Sequence, residues 1–329
     1  MAGEALPMSR PAASLIALIA VLLVVCLASL CIGTQWLSPV EAIQHVIAHD
    51  AQDFLVWRHR LPRTLIAVLA GGSFALAGAL VQGVIRNPLA SPEILGVTQG
   101  AGLALTIALI YLPALSLVWL PGVACLGGAF GAGALALYSA GRSFSGVRFA
   151  LSGVAISLTL GSVIEFLILS HPLNINTALL ALTGSLWSRT WHHVGLAVPL
   201  LAGLPLALML AKPLNLIGLG DEAASGLGVR LGPARLAVLV LAVILTSLGV
   251  AIIGPVSFIG LVAPHLARRL IGGRHQWLLP ASAIVGAILL VLADTLGRGL
   301  IPPVEIPAGI LTAIIGAPYF LWLLTRLKG

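Results

Sequence analysis

Ten apolar runs fill most of this 329-residue chain, each near the ~20 residues a helix needs to cross the ~30 Å hydrocarbon core of a bilayer. They fall near 13–33, 62–83, 94–112, 116–138, 148–169, 193–211, 233–252, 256–271, 278–296 and 307–326. Only helices and closed barrels satisfy every backbone polar group inside lipid. Runs of this length therefore predict an all-α polytopic membrane protein with about ten transmembrane helices. The charge count agrees. Lys+Arg number 17 and Asp+Glu 10, or 8% of residues, against about 25% in soluble domains. Mean hydropathy is +1.11. These values exclude a soluble enzyme, a secreted domain, a disordered chain and a nucleic-acid binder. The first run exceeds the ~7–15 apolar residues of a signal peptide and reads as a retained first helix. Cys26, Cys31 and Cys125 lie within apolar runs and form no CxxC pair, so no disulfide framework is expected.

With ten spans both termini lie on one side. If that side is the cytoplasm, Arg58, Arg60, Arg63, Arg189 and Arg298 lie outside and the other twelve basic residues inside, the bias that sets orientation. Trp36, Trp57, Trp119, Trp187 and Trp191 then mark the outer boundary, and Trp277 and Trp322 the inner one. Two long outer connections follow. One, 34–59, holds the amphipathic "SPVEAIQHVIAHD"; the other, 170–192, holds a short helix expected around 177–187. The one long inner connection is 212–232. No hydrophilic domain interrupts the spans, so residues 1–329 read as a single transmembrane domain. Gly127-xxx-Gly131 predicts a close helix-packing face. "NPLASPEILG" (87–96) and "GPVSFIGLVAPH" (254–265) interrupt corresponding spans of two sets of four helices, a weak sign of an inverted repeat.

No G-x-x-x-x-G-K-[ST] phosphate loop exists, so the chain has no ATPase site of that type. His45 and His49, near Asp50 and Asp53, read as an exposed helix face rather than a metal site; no metal is expected. Within the spans the acids are Glu165 and Asp294. Asp294 has Arg298 at i+4 as a structural partner. Glu165 either sits near the outer boundary or lines a wet cavity, and it is the pathway candidate. So few intramembrane charges argue against a chain of proton relays.

Motifs along the chain carry a resemblance. "RLPRTL" (60–65), "NPLASPEILGV" (87–97), "LGDEAASGLGV" (219–229), "GPVSFIGLVAPHLAR" (254–268), "GGRH" (272–275), "LLPASA" (278–283), "LAD" (292–294) and "EIPAGILTAIIGAPYFLWLL" (305–324) occur in order. Together they resemble the FecCD family, permease subunits of bacterial ABC importers for ferric siderophores, haem and cobalamin. "NPLASPEILGV", "LTGSLW" (182–187) and "GGRH" are most similar to its ferric dicitrate branch. The resemblance implies a type II importer permease fold in the bacterial inner membrane with both termini cytoplasmic. It implies transport of an iron chelate, a ferric siderophore or ferric citrate, from a periplasmic binding protein. The expected partners are a second permease, identical or homologous, and two cytoplasmic ATPase subunits that hold ATP and Mg. This chain is then a transport subunit without a cofactor of its own. Haem or cobalamin as cargo is the nearer alternative, and an ion-coupled secondary transporter the more distant one.

The resemblance also implies site residues. Arg60, Arg63 and Arg298 match basic positions that receive carboxylates from the binding protein. Asn87 and Leu89, with Ser145 and Gly146, match the two halves of a cytoplasmic gate, although Gly146 is smaller than the residue expected there. Asn87-Pro88 is itself a helix stop. Within two short coupling helices near 212–232, Asp221, Glu222, Ala223, Ala224, Ser225, Gly226 and Leu227 match the surface that seats in the ATPase. Asp221 and Glu222 are expected to pair with basic groups there.

Overall fold

The computed structural model describes residues 10–33, 35–139, 146–171, 182–302 and 304–326. The described residues are helical throughout and contain no named strand. Seven helical stretches are long and apolar enough to cross a membrane, and Val97–Tyr111 and Ala308–Leu323 form shorter apolar helices. Every predicted run holds helix. The chain starts with α1 (Arg10–Cys31) and the short α2 (Pro39–Ala48). Next come α3 (Leu61–Ile85), α4 (Val97–Tyr111), α5 (Leu120–Ser139) and α6 (Gly146–Ser170). The sixth run is broken into α7 (Trp191–Ala197), a 3₁₀ turn at Val198–Ala202 and α8 (Gly203–Met209). Pro199 and Pro205 supply the breaks, since proline removes a backbone donor. The predicted pair of short helices follows as α9 (Ala211–Ile217) and α10 (Asp221–Gly226). The chain ends with α11 (Leu231–Ile253), α12 (Ile259–Ile271), α13 (His275–Gly299) and α14 (Ala308–Arg326).

Two expectations change. The eighth run is not a full span. Residues 254–258 are non-helical, and α12 has only 13 residues, about 20 Å. Gly254-Pro255 stops the helix before it, and Phe258 takes a left-handed conformation (φ 67°) at the start of α12. Of the helix expected at 177–187, residues 177–181 lie outside the described residues, and 183–187 form turns and irregular backbone rather than helix.

Local chemistry explains the outer connection. Ser38 and Glu41 cap α2 reciprocally: Glu41 N–H donates to Ser38 Oγ (3.2 Å) and Ser38 N–H to Glu41 Oε2 (2.8 Å). Asp53 accepts the N–H groups of Leu55, Val56 and Trp57 and pairs with His45 at 3.0 Å, starting the π-helical turn Val56–Arg60 that runs into α3. Burial alone would raise the Asp53 pKa, but these donors and His45 outweigh it and hold it below the ordinary value. Among the described residues no three His, Cys, Asp or Glu side chains converge on a metal position.

The core is built around α3, which is buried along most of its length against α11, α12 and α13. Small residues permit this. Gly71 abuts Gly286 of α13, and Gly78 abuts the Gly260 carbonyl of α12. The predicted face at Gly127 and Gly131 rests against Gly100 and Gly96 beside and within α4. The surfaces of α1 and α6 expose Ile16, Leu23, Leu158 and Phe166, as lipid contact requires. A Cβ on Gly78 overlaps backbone of α12, whereas one on Gly133 meets nothing within 4 Å. Gly78→Ala should therefore destabilise the purified protein by about 1–3 kcal/mol. It should lower the thermal unfolding midpoint in detergent, while Gly133→Ala leaves that midpoint unchanged.

Candidate functional site

Polar side chains gather at three levels of this apolar bundle: the end that carries α2, a groove partway along α4 and α6, and the end that carries α10.

At the α2 end the arginines turn inward. Arg60 is 4% exposed and donates to the carbonyls of Leu30 (2.7 Å), Cys31 (3.1 Å) and Gln35. Arg298, 6% exposed, donates to the Ser29 carbonyl (3.0 Å), Ser29 Oγ (2.9 Å) and the Ile32 carbonyl (3.2 Å). Both thus satisfy the unpaired carbonyls at the C-terminus of α1, where positive charge is also favoured by the helix dipole. Arg63 grips Asp294 with Nε and Nη2 at 2.8–2.9 Å and donates through Nη1 to Glu305 at 2.7 Å. Asp294, 2% exposed, also faces Arg298 Nε at 3.3 Å, the expected i,i+4 pair. The three arginines are therefore less exposed than expected, although all of them line one cleft. Arg60 and Arg298 are held by α1, and Arg63 is committed to two carboxylates. The cleft, of about 190 Å³, opens past His59 and Glu305.

Midway, the two Pro/Gly interruptions meet. Glu93 of the α3–α4 connection accepts the Phe258 N–H at 3.0 Å, capping α12 from outside its own segment. Ser157 of α6 donates to the Glu93 carbonyl at 2.8 Å. A groove of about 400 Å³ runs here, lined by Glu93, Gln99, Ser157, Glu165, Pro255 and Ser257. Glu165 is exposed at its wall, five residues before the end of α6. Glu93 was not among the sequence candidates; an acid inside a Pro-bounded apolar stretch was the available signal.

At the α10 end α3 stops at Arg86 (φ 57°), and Asn87 Oδ1 accepts the Leu89 N–H at 2.9 Å. Asn87 and Leu89 are half-buried. Ser145 lies outside the described residues, and Gly146 begins α6 with its surroundings also outside them. Asp221 is bound within the chain, to Arg235 at 2.8 Å and Arg86 at 3.0 Å, with its side chain still 42% exposed. Ala224 is 0% exposed and faces inward, so it does not belong to an outer surface. Glu222, Ala223, Ser225, Gly226 and Leu227 are exposed, with Leu219 adjoining them.

The sequence matches the FecCD transport family over residues 21–326. The chain belongs to the FecCD transport family. It is 44% identical over 317 residues to the Fe(3+)-citrate import system permease protein YfmE of Bacillus subtilis (strain 168), covering 96% of this chain and 95% of that one. It is 49% identical over 276 residues to the Fe(3+) dicitrate transport system permease protein FecD of Escherichia coli (strain K12), covering 84% and 86%. Among solved structures it resembles an inward-facing metal-chelate type ABC transporter, with a TM-score of 0.82 and 34% identity over 97% of this chain and 100% of that one. The FecCD fold is thus the frame that brings the three polar levels together.

Removing Asp294 strands the guanidiniums of Arg63 and Arg298. Asp294→Ala should destabilise by about 3–5 kcal/mol and Glu305→Gln, at the half-exposed edge, by about 1 kcal/mol or less, read as detergent unfolding midpoints. Glu93→Gln keeps the acceptor for the Phe258 N–H and should leave the unfolding midpoint nearly unchanged, whereas Glu93→Ala strands that N–H and should lower it.

Proposed function

We propose that this FecCD-family chain is the permease subunit of a bacterial ABC importer for an iron chelate, with ferric citrate the first candidate. The observation that carries this reading is its 44% identity over nearly its whole length to a permease named for Fe(3+)-citrate import. In this reading the α2 end faces the periplasm and receives the binding protein, with the exposed Arg58 and His59 at its rim. The α10 end faces the cytoplasm, and both termini lie there. A second permease, identical or homologous, completes the pathway, and two ATPase subunits bind ATP and Mg. This chain contributes no ATPase chemistry. The groove beside Glu93 and Glu165 forms part of the pathway wall. Asn87 and Leu89 stand where that wall narrows towards the α10 end.

The coupling surface consists of the exposed part of the 219–227 segment. Leu227, 60% exposed, and Leu219 offer apolar contact, while Ala223, Ser225 and Gly226 let a partner approach closely. The Asp221 bridge to Arg86 and Arg235 supports the reading, because it ties this surface to the ends of α3 and α11. A displacement of α10 then reaches α3 directly.

The test uses inner-membrane vesicles that hold the chain with its second permease, ATPase and binding protein. Radiolabelled iron offered as citrate should accumulate only with ATP and should persist with an uncoupler; haemin and cobalamin should not compete. Leu227→Asp should reduce uptake roughly tenfold, as loss of a buried interface contact does, without lowering the amount of folded chain. Ala224→Trp should instead reduce the folded amount. ATP-independent uptake, or full coupling in Leu227→Asp, would refute the reading.

A further inference from the structure

A second cavity, of about 350 Å³, lies beside α7 at the α2 end and takes no part in the function proposed above. Its walls are apolar: Leu105 and Leu109 of α4, Leu120 of α5, Leu196 of α7 and Val250 of α11. At its mouth stand Arg189 and His193. Arg189 Nη1 donates to His193 Nε2 at 3.3 Å, and His193 Nδ1 is engaged by Thr190 Oγ1 at 3.2 Å. Arg189 Nε is buried and has no hydrogen-bond partner.

The unusual feature is a half-buried cation without a counterion. The chain has ten acids, and only Glu4 lies outside the described residues. Of the other nine, none lies within ion-pair distance of Arg189. Asp53, Asp221, Asp294 and Glu305 pair elsewhere. Glu41 and Asp50 bond to local backbone, Glu93 and Glu165 line the other groove, and Glu222 is exposed on the α10 surface. Burial works against the charge of Arg189 and lowers its pKa from the ordinary value. An arginine in such a place keeps its charge by recruiting an anion. The anion must be attached to something that prefers leucine side chains to water, because apart from Arg189, His193, Ser185 and Ser188 the lining side chains are apolar. Trp119 and Trp187 are exposed at the same end, as residues at a bilayer boundary are.

We propose that this cavity is a binding site for one anionic phospholipid. The phosphate accepts the Arg189 Nη2–H groups, which have no partner among the described residues, and part of an acyl chain lies among Leu105, Leu109, Leu120, Leu196 and Val250. Guanidinium–phosphate bonds supply orientation and the preference for an anionic headgroup, while the acyl chain exchanges one apolar contact for another.

The test purifies the chain, with the subunits that accompany it, in mild detergent and measures bound lipid by native mass spectrometry. One phosphatidylglycerol per chain should survive detergent washing, in preference to phosphatidylcholine. Arg189→Gln should hold phosphatidylglycerol roughly tenfold more weakly, about 1.4 kcal/mol. Leu120→Trp, which fills the cavity and keeps the arginine, should lose the lipid as well and guards against a folding defect in the first variant. In phosphatidylcholine nanodiscs, added phosphatidylglycerol should raise the unfolding midpoint, and inorganic phosphate should not. Equal retention in Arg189→Gln, equal retention of phosphatidylcholine, stabilisation by phosphate alone, or a second permease covering the cavity with no lipid present would each overturn the proposal.

Discussion

Wherever a helix stops inside a bilayer, its last carbonyls and first N–H groups lose their partners, and lipid offers none. The polar residues of this chain are placed largely by that constraint. Arg60 and Arg298 fill the carbonyls that α1 leaves at Leu30, Cys31, Ser29 and Ile32. Glu93 fills the N–H that α12 leaves at Phe258. The Gly309 N–H, opening α14, donates to the Gly184 carbonyl of the turn before α7 at 2.9 Å. Each of these bonds joins segments remote in sequence, so satisfying the backbone also fixes how the helices are arranged.

The arginine network shows how one side chain serves two requirements. Asp294 neutralises Arg63 and Arg298 together, and those arginines hold α3 and the end of α1 against α13. In the proposed orientation, arginine at this end opposes the usual bias of basic residues towards the cytoplasmic side. Here the bias is overridden by helix ends that need donors. A family position that carries an arginine can therefore stand for structure as well as for recognition, and the partners of each guanidinium separate the two.

The breaks place non-helical segments in the middle of the bundle. The α3–α4 connection and residues 254–258 meet at Glu93 and line one groove with Glu165. Helix α12 extends from that junction towards the end where α10 lies, and α3 spans the same distance on the other side. Both pack through glycine, at Gly78 and Gly260, so backbone touches backbone with no side chain between. Such contacts transmit displacement with little slack, since a close-packed interior does not compress.

The sequence by itself determined the class of fold and most of its local grammar. Apolar length, the stop at Asn87-Pro88, the Gly127 and Gly131 face and the i,i+4 pair of Asp294 and Arg298 are all read within a few residues, and the structure contains each of them. The motifs extended that reading to the family. Only the tertiary structure decided which charges are free. Arg63 meets Asp294 across 231 residues, and Glu93 meets Phe258 across 165. Spacing cannot anticipate such partners. Helix α10 has six residues, too few for a periodic pattern to show that Ala224 points inward. Hydropathy also misjudged the eighth run, because extended backbone buried in protein is as apolar as a helix that spans. Length and apolarity act locally and can be read from the chain, whereas burial and pairing depend on which distant segments the fold brings together.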